Sequence, residues 1–318
     1  MSISFPYLLH LGDSEGRDHT LSSPTKQQDS WWKEGVGKVL TTVSASILIL
    51  TTLAIIYFIA SKGLATFFSN GVSLVEFLIG TEWNPEGAPG QFGAFPFILG
   101  SFIVTVGSAL LAAPLGIGTA IFMTEISPRI GQKVMQPVIE LLVGIPSVVY
   151  GFIGLSVLIP FLRNSFGGVG FSLLAGILVL TVMILPTITS LSVDAVKRVP
   201  RDLKEASLAL GATRWQTIWN IIVLRSSLPG LLMAIILGMA RAFGEALAVQ
   251  MVIGNTTAIP KSLLSPSNTL TSGITLNMGN TIPGSAYNNA LWSMGLLLLI
   301  MTLIFILLIR WISKRGQA

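Results

Sequence analysis

Charged residues are absent from residues 39–61, 87–124, 164–193 and 262–309, and only Glu140 interrupts 134–162. Residues 226–260 contain just two, Arg241 and Glu245. A helix needs about 20 mostly apolar residues to cross the hydrocarbon core of a bilayer, and every one of these intervals is longer. The chain as a whole is 10% charged and 52% hydrophobic, where soluble domains carry about 25% charged residues. Trimmed of polar ends, the intervals predict spans at 39–61, 95–123, 134–161, 171–193, 229–254 and 289–310. The alternation of barrel strands is missing from them. The expected fold is an all-α integral membrane protein with six transmembrane helices.

The remaining pieces are too short for a soluble catalytic domain. They predict an N-terminal tail over 1–37, a membrane domain over 38–312 and a C-terminal tail over 313–318. If the N-terminus is cytoplasmic, 15 of the 19 Lys and Arg residues fall on the cytoplasmic side, leaving Lys62, Arg163 and Lys261 outside and Arg241 within the membrane. Basic residues concentrate in cytoplasmic loops, so both termini are expected in the cytoplasm, and the net charge of +5 needs no nucleic acid to explain it. Cysteine is absent, and His10 and His19 both lie in the polar N-terminal tail. Disulfides, thiolate chemistry and Cys- or His-based metal sites in the spans are thereby excluded, and no cofactor is expected. Residues 1–30 lack the basic start and apolar core of a signal peptide, and Trp31 and Trp32 suit the membrane interface.

The outer loop 72–96 predicts a short interfacial helix followed by turns. The second outer loop, 255–288, is rich in Ser, Thr, Asn, Gly and Pro, and reads equally as a solvated connector or a docking surface. The cytoplasmic loop 194–228 is too long for a simple connection, yet Leu203, Ala206 and Leu210, then Trp215, Ile218 and Trp219, keep helical spacing. Two short helices meeting at Gly211 are expected, the first opening after Pro200.

Within this loop Glu205-Ala206-Ser207, Gly211 and Ile221 resemble the coupling loop of ABC importer permeases of the type I kind. That loop reads Glu-Ala-Ala, three residues, Gly, nine residues, then Ile-x-Leu-Pro. Ser207 replaces the second Ala, and Val223-Leu224 stands where Leu-Pro is expected. With "GIPSVVYGFIGL" (144–155), "LIGTEWNP" (78–85), "EASLALGATRWQT" (205–217) and "ARAFGEALAV" (240–249), the chain is similar to phosphate importer permeases of the PstC type. The resemblance implies a second, related permease as a heterodimer partner, a pair of ATPase subunits, an extracytoplasmic phosphate-binding protein, and location in the cytoplasmic membrane. It assigns Glu205, Ala206, Ser207, Gly211, Arg214 and Trp215 to the ATPase-coupling loop. The chain's own "GVGKV" (35–39) is no phosphate-binding loop, because Trp32 and Val39 stand where Gly and Ser/Thr are required. ATP is therefore expected to be used by a partner, and this chain to be a transporter subunit, not an enzyme.

Arg241 and Glu245 are four residues apart, which on an unbroken helix makes them neighbours. Each central charge costs roughly 2.5–3.5 kcal/mol on insertion scales, while Leu, Ile, Phe and Val return about 0.3–0.6 each. The eleven such residues of 228–254 leave the span near break-even, so it is expected to face protein or water. The pair reads either as an internal ion pair that fixes packing or as a pathway site, with Arg241 meeting a passing anion and Glu245 holding the guanidinium. Pro146 with Ser147 and Tyr150 is a further candidate for polar groups on the pathway, bent packing without solute contact being the alternative. Glu140 is expected near the interface, reaching water or a loop cation. Transport of molybdate or sulfate, or an ATP-independent channel, would account for much of the same pattern.

Overall fold

The computed structural model describes residues 25–315, apart from residue 88. The tail assignments for 1–24 and 316–318, with His10 and His19, lie outside the described residues. Two compact units divide between Ile56 and Tyr57. The described part of the first is the leading portion of helix α1, Thr25–Phe68, and its residues 35–56 are exposed.

The second unit is a helical bundle preceded by a small hairpin. Its elements are the rest of α1, α2 (Leu74–Ile79), strands β1 (Trp83–Asn84) and β2 (Gln91–Phe92), α3 (Phe95–Ile121), α4 (Gln136–Gly144), α5 (Ser147–Ile153), α6 (Ile159–Phe166), α7 (Leu173–Lys197), α8 (Arg201–Ala209), α9 (Leu228–Phe243), α10 (Leu247–Gln250), α11 (Leu270–Asn277) and α12 (Ala286–Arg315). Six helices among the described residues are long and apolar enough to cross a membrane: Gly35–Phe68, Phe95–Ile126, Ser147–Phe166, Leu173–Lys197, Arg214–Phe243 and Ala286–Leu308. The all-α, six-span expectation is met.

Helix α7 is the centre of the bundle. Ser172 caps its N-terminus by accepting from the Ala175 amide, and Leu173, Leu180, Ile184 and Ile188 are fully buried. Its most extensive packing is against α3, followed by α9. A second cluster joins Phe77, Phe92, Phe97, Phe243, Leu270, Leu291 and Met294. There Trp83 meets Phe92, Phe97 and Tyr287 edge-on, which pins the β1–β2 hairpin to the bundle. At the end of the bundle that carries α8, Ile121, Val196, Ile218, Ile222 and Leu231 close a third cluster.

Several boundaries differ from those read in the sequence, the first being that α1 begins at Thr25, inside the expected 1–37 tail, and runs to Phe68 where a span at 39–61 is expected. The span expected at 134–161 is cut at Ile145-Pro146, because a residue preceding proline is driven out of the helical region, and the helix that is long enough runs over Ser147–Phe166. The span expected at 229–254 begins at Arg214 and stops at Phe243. Residues 255–288 are no loose connector: Ser267 through Gly273 are buried. Thr269 bonds to Thr271 and Ser272 through its hydroxyl, and the Leu270 amide donates to Ser101 Oγ of α3 at 2.9 Å.

The turn at Gly211 is as expected. Gly211 has φ +83°, α8 opens directly after Pro200, and Thr213 with Gln216 forms a capping box at the start of the next helix. A β-carbon in this conformation costs about 1–2 kcal/mol. Gly211→Val is therefore expected to speed hydrogen exchange at the amides of Leu210, residue 211 and Ala212 by about 5- to 30-fold. An unchanged exchange rate would contradict the assigned turn.

Candidate functional site

Helix α9 buries Leu231, Ala234, Gly238 and Ala242 along one stripe. Leu237 and Arg241 are exposed on another face, together with Gly244 just beyond the helix end. Arg241 occupies the last turn of α9, and its Nη1 donates to Thr187 Oγ1 at 2.7 Å. Thr187 follows Pro186 inside α7, and its hydroxyl anchors the guanidinium. The helix then ends at Gly244, a residue of poor helix propensity: the Gly244 amide makes the last ordinary helical bond, to the Ala240 carbonyl, and the Glu245 amide makes a tightened one to the Ala242 carbonyl.

This break overturns the expected neighbour relation of Arg241 and Glu245. Glu245 lies beyond the helix end, so four residues of separation no longer place it beside Arg241, and no ion pair joins the two among the described residues. Glu245 Oε1 instead accepts the Ala248 amide at 3.1 Å, and its backbone carbonyl accepts Thr271 Oγ1 at 2.7 Å. The carboxylate caps α10, a placement favoured at a helix start. The expected role of holding the guanidinium falls to Thr187, which the sequence reading did not single out.

The second break is at Pro146. Ile145 and Pro146 are extended, and α5 begins at Ser147, which is half-buried. Tyr150 is buried, and its hydroxyl donates to the Leu142 carbonyl at 2.8 Å across the break, satisfying an acceptor that the interrupted helix releases. The two breaks abut because Gly151 has no side chain: a β-carbon there would stand 2.9 Å from the Ala248 Cα and the Met251 Sδ. Glu140, by contrast, is exposed and accepts from Gln136 Nε2 at 2.8 Å.

Beside Glu245, Ser101 and Thr105 of α3 with Thr269 and Thr271 line the polar side of a narrow pocket of about 10 Å³, whose other wall is apolar, with Val104, Leu180, Phe243 and Val249. That is the lower limit for one water, so this polar seam admits no larger solute in the present conformation. At the α8 end, Glu205, Ala206, Arg214 and Trp215 are exposed, and Leu210 is 90% exposed at the tip. Ser207 is half-buried and shares a hydrogen bond with Thr217 at 2.9 Å. The projecting pair of helices with exposed Leu210 and Trp215 has the character of a protein-binding surface.

Residues 112–316 match the family described as the inner membrane component of binding-protein-dependent transport systems. The chain belongs to that family. This permease is 58% identical to a probable ABC transporter permease of Bacillus subtilis, YqgH, over 92% of this chain and 95% of the relative. It is 36% identical to a phosphate transport system permease protein PstC of Mesorhizobium japonicum, over 87% and 89% of the two chains. Among solved structures, a bacterial alginate ABC transporter in complex with a pentasaccharide-bound periplasmic protein matches with a TM-score of 0.58 at 17% identity, over 89% of this chain and 97% of that one. The inward-facing MetNI methionine ABC transporter matches at 0.53 and 22% identity, over 69% and 93%. These likenesses show the fold. As a multi-pass permease subunit of an ABC importer, the protein works with a separate ATPase and a substrate-binding protein.

The contact between the two breaks tests the permease site directly. Gly151→Val overpacks α5 against α10, which costs about 1–3 kcal/mol. A lower thermal midpoint in detergent is expected, and a midpoint equal to wild type would contradict the packing.

Proposed function

We propose that this permease carries inorganic phosphate into the cell, paired with a second, related permease, and that Arg241 is its principal contact with the anion on the way through. The observation that carries the reading is an exposed guanidinium on the last turn of an otherwise apolar helix, beside a break in that helix. A charge at this depth is costly against lipid, which favours a water-filled route between subunits. The names of the relatives supply the cargo.

Arg has five N–H donors, and the bond to Thr187 occupies one of them. The others are available to phosphate oxygens, which suit the planar fork of a guanidinium. A single cation binds weakly enough to release its anion, as conduction along a pathway requires. Glu245 acts by holding the break, while Ser147 and Tyr150 at the opposite break form the facing wall. The coupling residues Glu205, Ala206, Ser207, Gly211, Arg214 and Trp215 dock the ATPase, whose closure drives alternating access. Both termini lie in the cytoplasm, as the distribution of basic residues favours.

The test is phosphate uptake into vesicles holding the chain with its permease, ATPase and binding-protein partners, with and without ATP and with sulfate or molybdate as competitor. ATP-dependent uptake that neither competitor suppresses is expected. Uptake without ATP would support a channel, and suppression by another oxyanion would reassign the cargo.

Charge-assisted hydrogen bonds contribute about 1.5–3 kcal/mol, so Arg241→Met is expected to lower uptake about 10- to 100-fold at unchanged protein level. Thr187→Val, which removes the anchor but keeps the charge, is expected to reduce it less. Full activity of Arg241→Met would remove Arg241 from the pathway. Glu245→Gln weakens the cap of α10 and is expected to reduce uptake at normal assembly.

A further inference from the structure

Helix α8 has no buried residues, yet two side-chain tethers hold it. One is the bond between Ser207 and Thr217, at the position where the sequence departs from Glu-Ala-Ala. Thr217 belongs to the helix Arg214–Phe243, whose last turn carries Arg241 beside the break. The other is the ion pair between Lys204 Nζ and Glu125 Oε1, 79 residues apart in sequence. It is the one ion pair among the described residues, with side chains 23% and 14% exposed.

Glu125 lies on the last turn of the continuous helix Phe95–Ile126. That helix carries Ser101 and Thr105 to the polar side of the pocket beside Glu245. At 1.5 Å per residue the distance from residue 125 to residue 101 is roughly 36 Å. Both tethers of α8 therefore lead to the same place: one through the helix whose last turn carries Arg241, the other through the helix that lines the pocket next to Glu245.

We infer that the Glu125–Lys204 ion pair is a positioning latch that delivers movement of α8 to α3, in parallel with the Ser207–Thr217 tether to the helix bearing Arg241. The pair forms part of the wall of a cleft of about 500 Å³, lined also by Thr124, Gln132, Lys197 and Arg201. Water in such a cleft keeps the ion pair modest in strength, so it can break and re-form within a transport cycle. The inference rests on the reading of α8 as the ATPase contact. It adds a second route into the membrane that the covalent chain does not provide.

The experiment uses the full transporter in vesicles and measures ATP hydrolysed and phosphate transported side by side, together with the stimulation of hydrolysis by the binding protein. The variants are Glu125→Gln, Lys204→Met and the exchange Glu125→Lys with Lys204→Glu. Each single variant is expected to lower phosphate moved per ATP, and stimulation by the binding protein, by about fivefold, and the exchange to restore both. A merely structural role would lower hydrolysis and transport together, with the ratio unchanged, and that result would overturn the latch. So would a loss that the exchange does not repair. A wild-type transporter that hydrolyses ATP under stimulation but moves no phosphate would instead overturn the cargo assignment, and the latch would then be decided on the stimulation readout.

Discussion

A guanidinium within an apolar membrane segment persists only where water or a polar partner meets it, and the arrangement around the candidate site answers that constraint. Arg241 stands at the last turn of α9, bonded to Thr187. The helix stops immediately beyond it. Because α9 ends there, Glu245 is free to cap α10, α10 can lie against Gly151 of α5, and the backbone of Glu245 can tie down Thr271. Two interrupted helices thus meet beside a charge. Interrupted helices are tolerated within a membrane where the freed backbone groups find partners in protein or water, and here Tyr150 and Thr271 provide such bonds.

Rigid packing surrounds this polar seam. Helix α7 is buried along most of its length between α3 and α9, so the two helices that line the cavity and carry Arg241 share one support. Motion of either relative to α7 would change the polar seam, which at about 10 Å³ has no room for an anion as it stands. The α8 pair, nearly free of burial, is the element best placed to impose such motion. Its attachments are side-chain bonds that can be exchanged without unfolding the core.

The large-scale fold was legible because charge-free intervals of spanning length have few other uses. The α8 turn was legible because Gly211 and Pro200 punctuate a helical pattern. The ends of the spans were less so: apolar residues continue through Phe243, Leu247 and Val249, and one glycine among them does not distinguish a break from tight packing. The partner exchange at Arg241 follows from that missed break. Residues 267–273 read as loop because they are polar, whereas the Thr269 hydroxyl bonds to Ser272 and the Leu270 backbone amide donates to Ser101 of α3. The pairing of Glu125 with Lys204 depends on tertiary proximity across 79 positions, for which no local pattern exists.

The central claim is that Arg241 and the break beside it face water within the membrane. The chain contains no cysteine, so a label found on this chain reports the introduced cysteine alone. The decisive measurement is labelling of Arg241→Cys and Gly244→Cys by a membrane-impermeant thiol reagent in the assembled transporter, with Ala242→Cys and Ala248→Cys as buried controls. Rapid reaction at 241 and 244 in at least one state of the ATP cycle, with the controls inert, is the predicted result. Failure of both positions to react in every state would contradict the account.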